Sequence, residues 1–267
     1  MTRFRIDDGT GFRLADRDPG DTGAVDGGKS EARAEVAELT DRLGELQALL
    51  HADGRHRLLV VVQGMDTAGK GGVVGRLTTG MNPAGVRVTS FKAPTGPELA
   101  HDFLWRVHAH VPGDGEIAVF DRSHYEDVLI VRVHDLVPPE RWAARYDHIR
   151  AFERMLVDEG TTVCKFLLHI SAHEQRRRLQ ARLDDPAKRW KFRRADLDER
   201  GHWEAYQQAY EEMVQRTATP AAPWHVVPAD RKWHRDVVVC RAVVAALDGL
   251  DLRYPPGEEG LDGLVVT

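Results

Sequence analysis

Residues 58–72, LLVVVQGMDTAGKGG, determine how the rest of the sequence is interpreted. The apolar run LLVVV predicts a short buried β-strand. The residues after it have the spacing Gly64-x-x-x-x-Gly69-Lys70, which is the pattern of a phosphate-binding P-loop. Such a loop points several backbone N–H groups inward at the start of a helix, where the helix dipole also favours negative charge. The stretch therefore predicts a strand, an anion-binding loop and a helix in succession.

Several residues of this loop are assigned to phosphate binding. They are Gly64, Thr67, Ala68, Gly69 and Gly71, with Lys70 as a point charge for a terminal phosphate. The usual motif has Ser or Thr after the lysine, where the hydroxyl holds Mg²⁺, and this sequence has glycine there. Because phosphoryl transfer needs a metal to neutralise developing charge, we predict that Asp66 is the substitute ligand. The alternative is a glycine-rich turn that binds no ligand.

Composition and charge narrow the class of protein. The chain has 267 residues, of which 42% are hydrophobic and 30% charged, as in soluble globular proteins. A net charge of -5 argues against a general nucleic-acid binder. Cys164 and Cys240 lie in apolar runs and are expected to be reduced core residues. The first residues, MTRFRIDDGTGF, lack the apolar core of a signal peptide, and no apolar run approaches the roughly 18 residues of a membrane span. We expect a cytoplasmic protein without a membrane partner.

The order of elements predicts an α/β fold with a P-loop kinase-like parallel sheet flanked by helices. Apolar strands are predicted at 58–62, 86–91, 116–120, 161–170 and 224–227. Helices are predicted from Ser30 to Asp53 and at 70–79, 97–110, 139–158, from 172 and at 230–247. The expected domains are an N-terminal helical extension over 1–55, irregular before the helix, a P-loop domain over 56–250 and a loosely ordered tail over 251–267.

Polar residues follow the predicted strands, and the carboxyl ends of parallel strands are where ligands bind. Asp121 follows an apolar strand as a Walker B acid does, so Asp66 and Asp121 are the expected Mg²⁺ ligands. A helix N-cap is the alternative for Asp121. Arg122 is expected to stabilise the transferring phosphate, with a surface salt bridge as its alternative. Lys92 is expected to contact phosphate. Glu126 is assigned to nucleotide binding, with a second metal or a helix cap as alternatives.

A second distinctive region is residues 176–194, RRRLQARLDDPAKRWKFRR. It holds nine Lys or Arg against two Asp, a net of +7 in a chain whose total is -5. Solvated helix faces usually carry compensating acids, and this region lacks them. Trp190 and Phe192 interleave with the basic residues near Pro186, which interrupts the helix. A helical lid over about 176–200 that closes on a polyanion is the favoured interpretation, and a bland solvated face is the alternative.

Five motifs together resemble the polyphosphate kinase 2 family. They are GMDTAGKGG, SFKAPT, FDRSHYEDVL, DDPAKRWKF and WHVVPADRKWHR, in consistent order between about residues 30 and 255. The resemblance implies a P-loop kinase fold of the thymidylate-kinase type with a helical lid, Mg²⁺ dependence, and phosphoryl transfer between inorganic polyphosphate and a nucleotide. It implies that Asp66 and Asp121 organise metal and phosphates and that Lys70 and Arg122 contact phosphates. It also implies that basic lid residues line the polyphosphate path, here Arg182, Lys188, Arg189 and Lys191.

The same resemblance bears on the nucleotide. The run SHYEDVL is similar to the branch that phosphorylates both nucleoside mono- and diphosphates, whereas Gly71 and Asp121 match the diphosphate-specific branch. We therefore expect a polyphosphate:nucleotide phosphotransferase that acts on ADP or GDP, with AMP left open as a further acceptor. We also expect that it works as a homo-oligomer and binds no nucleic acid. The alternatives are an ATP-dependent nucleotide or small-molecule kinase and a non-catalytic polyanion-binding protein.

Overall fold

The structure is a computed structural model that describes residues 2–260 and 265–266. The strands of these residues form one six-stranded sheet. The strands are β1 Arg5–Ile6, β2 Arg57–Gln63, β3 Val86–Ser90, β4 Ile117–Asp121, β5 Thr161–His169 and β6 Trp224–Pro228. Their order is β1-β6-β5-β2-β4-β3. All neighbouring pairs are parallel except β1 with β6. The α/β fold with a parallel sheet is therefore confirmed.

The helices of the described residues connect and cover these strands. They are α1 Lys29–Asp53, α2 Lys70–Thr78, α3 Gly96–Leu99, α4 Trp105–His108, α5 Ile130–Val133, α6 Pro139–Asp158, α7 Ala172–Asp184, α8 Ala195–Gly201, α9 Trp203–Thr217 and α10 Lys232–Asp248. Short 3₁₀ turns lie at Thr2–Phe4, Leu14–Asp16, Pro83–Gly85, His124–Val128 and Arg189–Lys191. Among the described residues, none of these helices combines the length and apolar character that crossing a membrane requires.

Strand β2 is the centre of the fold because it pairs with β5 on one side and β4 on the other. Its residues from Leu58 to Gln63 are all buried, so both faces of the strand are covered. In the β2–β4 register Val62 lies opposite Asp121, so both strands end at one edge of the sheet. The P-loop and Asp121 therefore leave the sheet side by side, as the parallel topology predicts.

Helix α1 carries an apolar stripe on its buried face. Leu43, Leu46 and Leu50 are buried, and the helix packs against α10 and α2. It ends at Gly54, which adopts the left-handed conformation that glycine favours at this position. Both cysteines are free and buried, as expected, and burial raises the pKa of each thiol to about 12.

Residues before α1 differ from the irregular segment that was expected. Arg5–Ile6 form the antiparallel edge strand β1 on β6. Phe4, Ile6, Phe12 and Leu14 are buried in the main core. Two-residue strands and single-turn helices are too short to leave a periodic pattern in the sequence, so this packing could not be read from it.

The single helix predicted over 97–110 is wrong. The structure has two one-turn helices there, α3 and α4. Thr95 and Glu98 form a capping box that starts α3, and the Asp102 carboxylate accepts a hydrogen bond from the Leu104 N–H at 2.9 Å. Asp side chains that bind nearby backbone N–H groups favour turns over helix continuation. Helices α5, α8 and α9 were not singled out in the sequence.

Candidate active site

The P-loop connects β2 to α2 through a strained backbone. Gly64, Thr67 and Gly69 have φ values of 149°, 67° and 105°. A Cβ at Gly64 would lie 2.8 Å from the Leu168 carbonyl oxygen, and a Cβ at Gly69 would lie 1.9 Å from Arg235 Nη1. Both positions therefore require glycine. The predicted succession of strand, loop and helix is confirmed.

Two buried arginines donate hydrogen bonds to the backbone carbonyl groups of the loop. Arg178 Nη1 donates to the carbonyl oxygens of Thr67 at 2.9 Å and Ala68 at 3.0 Å, and Arg235 Nη1 donates to that of Ala68 at 3.2 Å. Glu174 accepts from Arg178 Nε at 2.7 Å. Because the arginines occupy these carbonyl groups, they fix the orientation of the loop peptides. Arg178 belongs to the basic run 176–194, so part of that run supports the loop.

Lys70 begins α2 and lies over its own loop. Its Nζ donates to the Gly64 carbonyl at 2.6 Å and to the Met65 carbonyl at 3.3 Å. Burial lowers the pKa of Lys70, and the positive charge of Arg122 lowers it further, against Asp66, Glu126 and Asp121. The ammonium thus lies among the charged groups predicted to form the site.

Arg122 connects the P-loop with the end of β4. Its Nη2 donates to Asp66 Oδ1 at 2.8 Å, and its Nη1 lies 3.8 Å from Glu126. The backbone of Arg122 is left-handed, with φ of 63°, which is rare for a residue with a side chain. Burial acts to lower the pKa of Arg122, but the carboxylates of Glu126 and Asp66 outweigh it, so the pKa is raised. Arg122 therefore joins residues that lie more than fifty positions apart.

Asp121 is the last residue of β4 and is half-buried. The residue that caps the following 3₁₀ turn is Ser123, whose Oγ accepts from the Tyr125 N–H, so the structure does not support the cap alternative for Asp121. Among the described residues there is no cluster of three or more His, Cys, Asp or Glu that could hold a metal. The donor set of Asp66 and Asp121 still fits Mg²⁺, because this ion is usually held by one or two carboxylates together with water and substrate phosphates.

Glu126 faces the same site from the 3₁₀ turn. Only 17% of its side chain is exposed. Burial raises the pKa of Glu126, although Arg122 and Lys70 act to lower it. With the Gln63 amide oriented so that its oxygen accepts from Ser123, its nitrogen donates to Glu126 Oε1 at 2.9 Å. Gln63, the last residue of β2, therefore positions Glu126, a contact the sequence did not predict.

A buried ion pair between Lys165 and Glu153 contacts Tyr125 in the 3₁₀ turn that carries Glu126. Lys165 Nζ donates to Glu153 Oε2 at 2.6 Å and to the Tyr125 hydroxyl at 3.0 Å, and that hydroxyl donates to Glu153 Oε1 at 2.6 Å. All three side chains are inaccessible or nearly so. Since Tyr125 precedes Glu126, the network fixes the backbone that carries Glu126.

Comparison with known proteins now identifies the family. A family model described as polyphosphate kinase 2 matches residues 27–254. The chain belongs to the polyphosphate kinase 2 family. It is 52% identical over 266 residues to the AMP/ADP-polyphosphate phosphotransferase of Meiothermus ruber, and this match covers 100% of both chains. It is 44% identical over 227 residues to the ADP-polyphosphate phosphotransferase of Rhodopseudomonas palustris, covering 80% of this chain and 78% of the relative.

Solved structures agree with this assignment to the polyphosphate kinase 2 family. The crystal structure of polyphosphate kinase 2 from Arthrobacter aurescens superposes with a TM-score of 0.93 at 47% identity. The match covers 96% of this chain and 91% of that chain. The predicted family is therefore confirmed.

The predicted lid residues of this family member lie in and after α7. Arg182 is 3.8 Å from Asp196, Lys188 pairs with Asp185 at 2.5 Å, and Arg189 donates to the Leu183 carbonyl at 3.0 Å. Lys188, Arg189 and Lys191 are exposed, and so is Trp190, at 76%. These residues do not contact the P-loop within the part of the chain that the structure describes. They form an outer basic segment.

Lys92 is also apart from the central cluster. It follows β3, the strand at the far edge of the sheet, and its side chain is exposed. Its backbone carbonyl accepts from Arg106 Nη1 at 2.8 Å. The structure thus brings Asp66, Lys70, Arg122 and Glu126 together with Asp121 at the same sheet edge, and leaves Lys92 at the rim.

A cleft of about 200 Å³ lies between the P-loop, Arg122 and Glu126 on one side and the lid and α9 on the other. Its far wall includes Arg193, Glu199, Tyr206 and Tyr210. Sequence reasoning missed the tyrosines. Their spacing of four residues on α9 places them on one helix face, but an aromatic pair at this spacing is also typical of a core helix.

Proposed function

We propose that this family member transfers the terminal phosphoryl group between inorganic polyphosphate and a nucleoside diphosphate, in a reaction that depends on Mg²⁺. One observation carries the proposal. Arg122 bridges the P-loop aspartate and Glu126 at the mouth of a P-loop, and Arg193 of the predicted lid region lines the same cleft. The named activities of the Meiothermus and Rhodopseudomonas relatives support the choice of polyphosphate and nucleotide as substrates.

The chain's own groups act mainly by positioning and by charge. The loop N–H groups of Gly64, Thr67, Gly69 and Gly71 and the Lys70 ammonium hold the reacting end of the donor. The N–H of Ala68, also predicted to bind phosphate, instead donates to the Met65 carbonyl at 3.1 Å in this structure. Arg122 stabilises charge on the transferring group. The acceptor's terminal phosphate is already ionised, so the in-line attack needs no strong general base. Asp66 and Asp121 would hold Mg²⁺, which supplies neutralisation of charge on the phosphate oxygens.

The lid residues Arg182, Lys188, Arg189 and Lys191 and the rim residue Lys92 are proposed to contact phosphates farther from the reacting atoms. Lys188, Arg189, Lys191 and Lys92 are exposed in this structure, which suits groups that bind after a lid moves. The expected assembly as a homo-oligomer and the cytoplasmic location stay predictions.

We propose that the acceptor nucleoside binds in a cavity of about 470 Å³ between the 94–106 segment and α6. Leu99, Phe103 and Leu104 give it an apolar wall that suits a flat base. Asp127, next to Glu126, lines its polar side and accepts from Arg145 Nη1 at 2.9 Å. Burial raises the pKa of Asp127, against Arg145 and Arg106. Glu126 would then orient the acceptor phosphates between this cavity and the P-loop.

The test is a product assay. Purified chain is incubated with polyphosphate, Mg²⁺ and AMP, ADP, GMP or GDP, and nucleotides are resolved by chromatography. ATP or GTP formed from the diphosphates only when polyphosphate is present is the expected result, and AMP use would extend it to the dual specificity named for the Meiothermus relative. A parallel reaction with ATP as the only donor tests the ATP-dependent kinase. Salt-sensitive polyphosphate binding without any Mg²⁺-dependent turnover would contradict the proposal.

A further inference from the structure

A basic depression lies next to the P-loop and outside the cleft described above. Its volume is about 570 Å³, and it lies among the amino-terminal parts of α1, α7 and α10 and the exposed face of α2. We call this cavity the basic depression. Six exposed basic residues line it, namely Lys29, Arg33, Arg76, Arg177, Arg231 and Lys232.

The charges of the basic depression are mostly uncompensated. Three acids also line it, but each has another partner. Glu174 pairs with Arg177 and Arg178, Asp236 accepts from Arg235 at 2.6 Å, and Asp230 accepts from the Ser171 hydroxyl at 2.7 Å. Over residues 2–260 and 265–266, no carboxylate lies within 4.0 Å of the charged nitrogens of the other five basic residues. So many unpaired cations in a chain of net charge -5 indicate an anionic ligand.

The basic depression adjoins the loop that is proposed to hold the donor's reacting end. Arg76 lies on α2, the helix that Lys70 begins, six residues or about 9 Å along its axis. Arg177 is the neighbour of Arg178, which holds the loop carbonyls. Burial lowers the pKa of Lys232, and the charges of Arg178 and Arg235 lower it further. The same two arginines therefore border the P-loop on one side and the basic depression on the other.

The lining favours a bare chain of phosphates over a nucleic acid. Single-stranded nucleic acids are usually bound on exposed aromatic rings, on which bases stack. The aromatic residue here, Trp233, is partly buried and packs against the small cluster of Ala32, Val36 and Val237. The basic depression is lined by lysine and arginine side chains, which are flexible and positively charged and can therefore follow a flexible polyanion.

We propose that the basic depression binds the distal phosphates of long polyphosphate chains whose reacting end lies in the P-loop. This inference rests on the proposed function and deepens it, because it assigns a structural basis for chain-length preference. Chains too short to leave the P-loop would not reach these residues.

The experiment compares the triple variant Arg33→Gln/Arg231→Gln/Lys232→Gln with the parent, using long-chain polyphosphate and tripolyphosphate as alternative donors. The preference for the long chain, measured as the ratio of the two kcat/KM values, is expected to fall about tenfold, because the variant loses three exposed charge contacts to the distal phosphates. The matched control Arg42→Gln/Arg150→Gln/Arg253→Gln removes the same charge at exposed positions elsewhere and should keep the parent's ratio.

The outcomes are distinguishable. An unchanged ratio in the triple variant of an active parent would overturn the inference and leave the proposed function standing, as would an equal fall in the control variant. A parent that turns over no polyphosphate of either length would overturn the proposed function and the inference with it. Circular dichroism and thermal melting of both variants confirm that they fold as the parent does.

Discussion

At the scale of single residues, the site consists of carboxylates and an arginine that lie close together and offset each other's charge. Asp66 forms an ion pair with Arg122, and Arg122 also faces Glu126. Arg122 lies at a left-handed backbone position, and its guanidinium bridges two segments of the chain. Removing the charge of Asp66 would therefore change a proposed metal ligand and the position of Arg122 together.

We predict that Asp66→Asn lowers kcat by at least about a hundredfold, the scale of removing one electrostatic group from a transition state. Asparagine keeps the size of the side chain but loses the charge that binds a divalent ion and pairs with Arg122. Steady-state rates at saturating polyphosphate and ADP, over a range of Mg²⁺ concentrations, provide the measurement. Asp26→Asn, an exposed change of equal charge, is the control. Parent-like rates at low Mg²⁺ in Asp66→Asn would contradict the assignment.

A second residue-scale prediction separates two glycines of the same loop. Gly69→Ala should lower the free energy of unfolding by about 2 kcal/mol, because its φ is positive and the new Cβ meets Arg235. Gly71→Ala should be neutral or stabilising by up to about 1 kcal/mol, because Gly71 lies in α2 with nothing within 4 Å of a Cβ. Urea unfolding of both variants is the test. Equal losses would mean that the Gly69 backbone is not strained as described.

At the scale of elements, α7 connects the P-loop to the lid. Its first turns carry Arg178, which donates to the loop carbonyls, and Glu174, which accepts from Arg178. Its last turn carries Arg182, next to the outer basic segment. One helix thus has a rigid end at the loop and an exposed end at the lid. The contacts that fix the loop are therefore separate from the exposed basic residues of the lid.

The ion pairs of Glu174 with Arg177 and Arg178, which we call the arginine clamp, make a pH-dependent contribution to the stability of the fold. Burial acts to raise the pKa of Glu174, but hydrogen bonds from Arg177 and Arg178 outweigh it and lower the pKa from 4.5 to about 2. Because the folded pKa lies below the unfolded one, the contribution is complete above about pH 4.5 and is lost as the pH falls toward 2. Its size is at most about 3 kcal/mol.

We therefore predict that Glu174→Gln lowers the free energy of unfolding at neutral pH by about 1–3 kcal/mol, and that the gap to the parent closes between pH 4.5 and 2. Denaturant titrations at several pH values measure the gap. Glu45→Gln, at an exposed carboxylate on α1, should show a small difference at every pH. A Glu174→Gln gap that stays constant down to pH 2 would show that the carboxylate charge does not contribute.

At the scale of the whole molecule, the sequence predicted what periodicity and motif spacing encode. The apolar strands, α1 and the P-loop were readable because each leaves a repeating or fixed pattern. The edge strand β1, the break between α3 and α4, and the contact of the arginine clamp with the P-loop were not readable. They depend on contacts between distant segments, such as Arg178 with Ala68, which no local pattern contains.

The same distinction applies to the candidate site. Asp66, Lys70, Asp121 and Arg122 were predicted from their positions at strand ends, and the sheet brings these segments to one edge. Gln63 and Tyr210 were missed because an amide at a strand end and a tyrosine in a helix are common core features. Their importance follows from Glu126, which the turn after β4 directs toward both.

The two sites proposed for donor and acceptor lie on opposite sides of the P-loop. The basic depression lies toward β5 and β6, whose following helices α7 and α10 line it, and the 470 Å³ cavity lies toward β3, at the other end of the sheet. If donor and acceptor approach from these two sides, a change in one cavity should affect one substrate only. Ala144 offers such a change because it is exposed on the wall of the β3-side cavity, where a larger side chain fills space without disturbing the core.

We predict that Ala144→Phe raises the KM for ADP on the order of tenfold, since an occupied pocket loses contacts worth roughly 1–3 kcal/mol, and leaves the KM for polyphosphate within about twofold. Initial rates with each substrate varied in turn give both constants. Ala151→Phe makes the same change at another exposed position of α6, outside this cavity, and should alter neither constant. A rise in the KM for polyphosphate alone would reverse the assignment of the two sides, and no change in either would exclude the cavity as the nucleoside site while leaving the phosphoryl-transfer site at the P-loop unaffected.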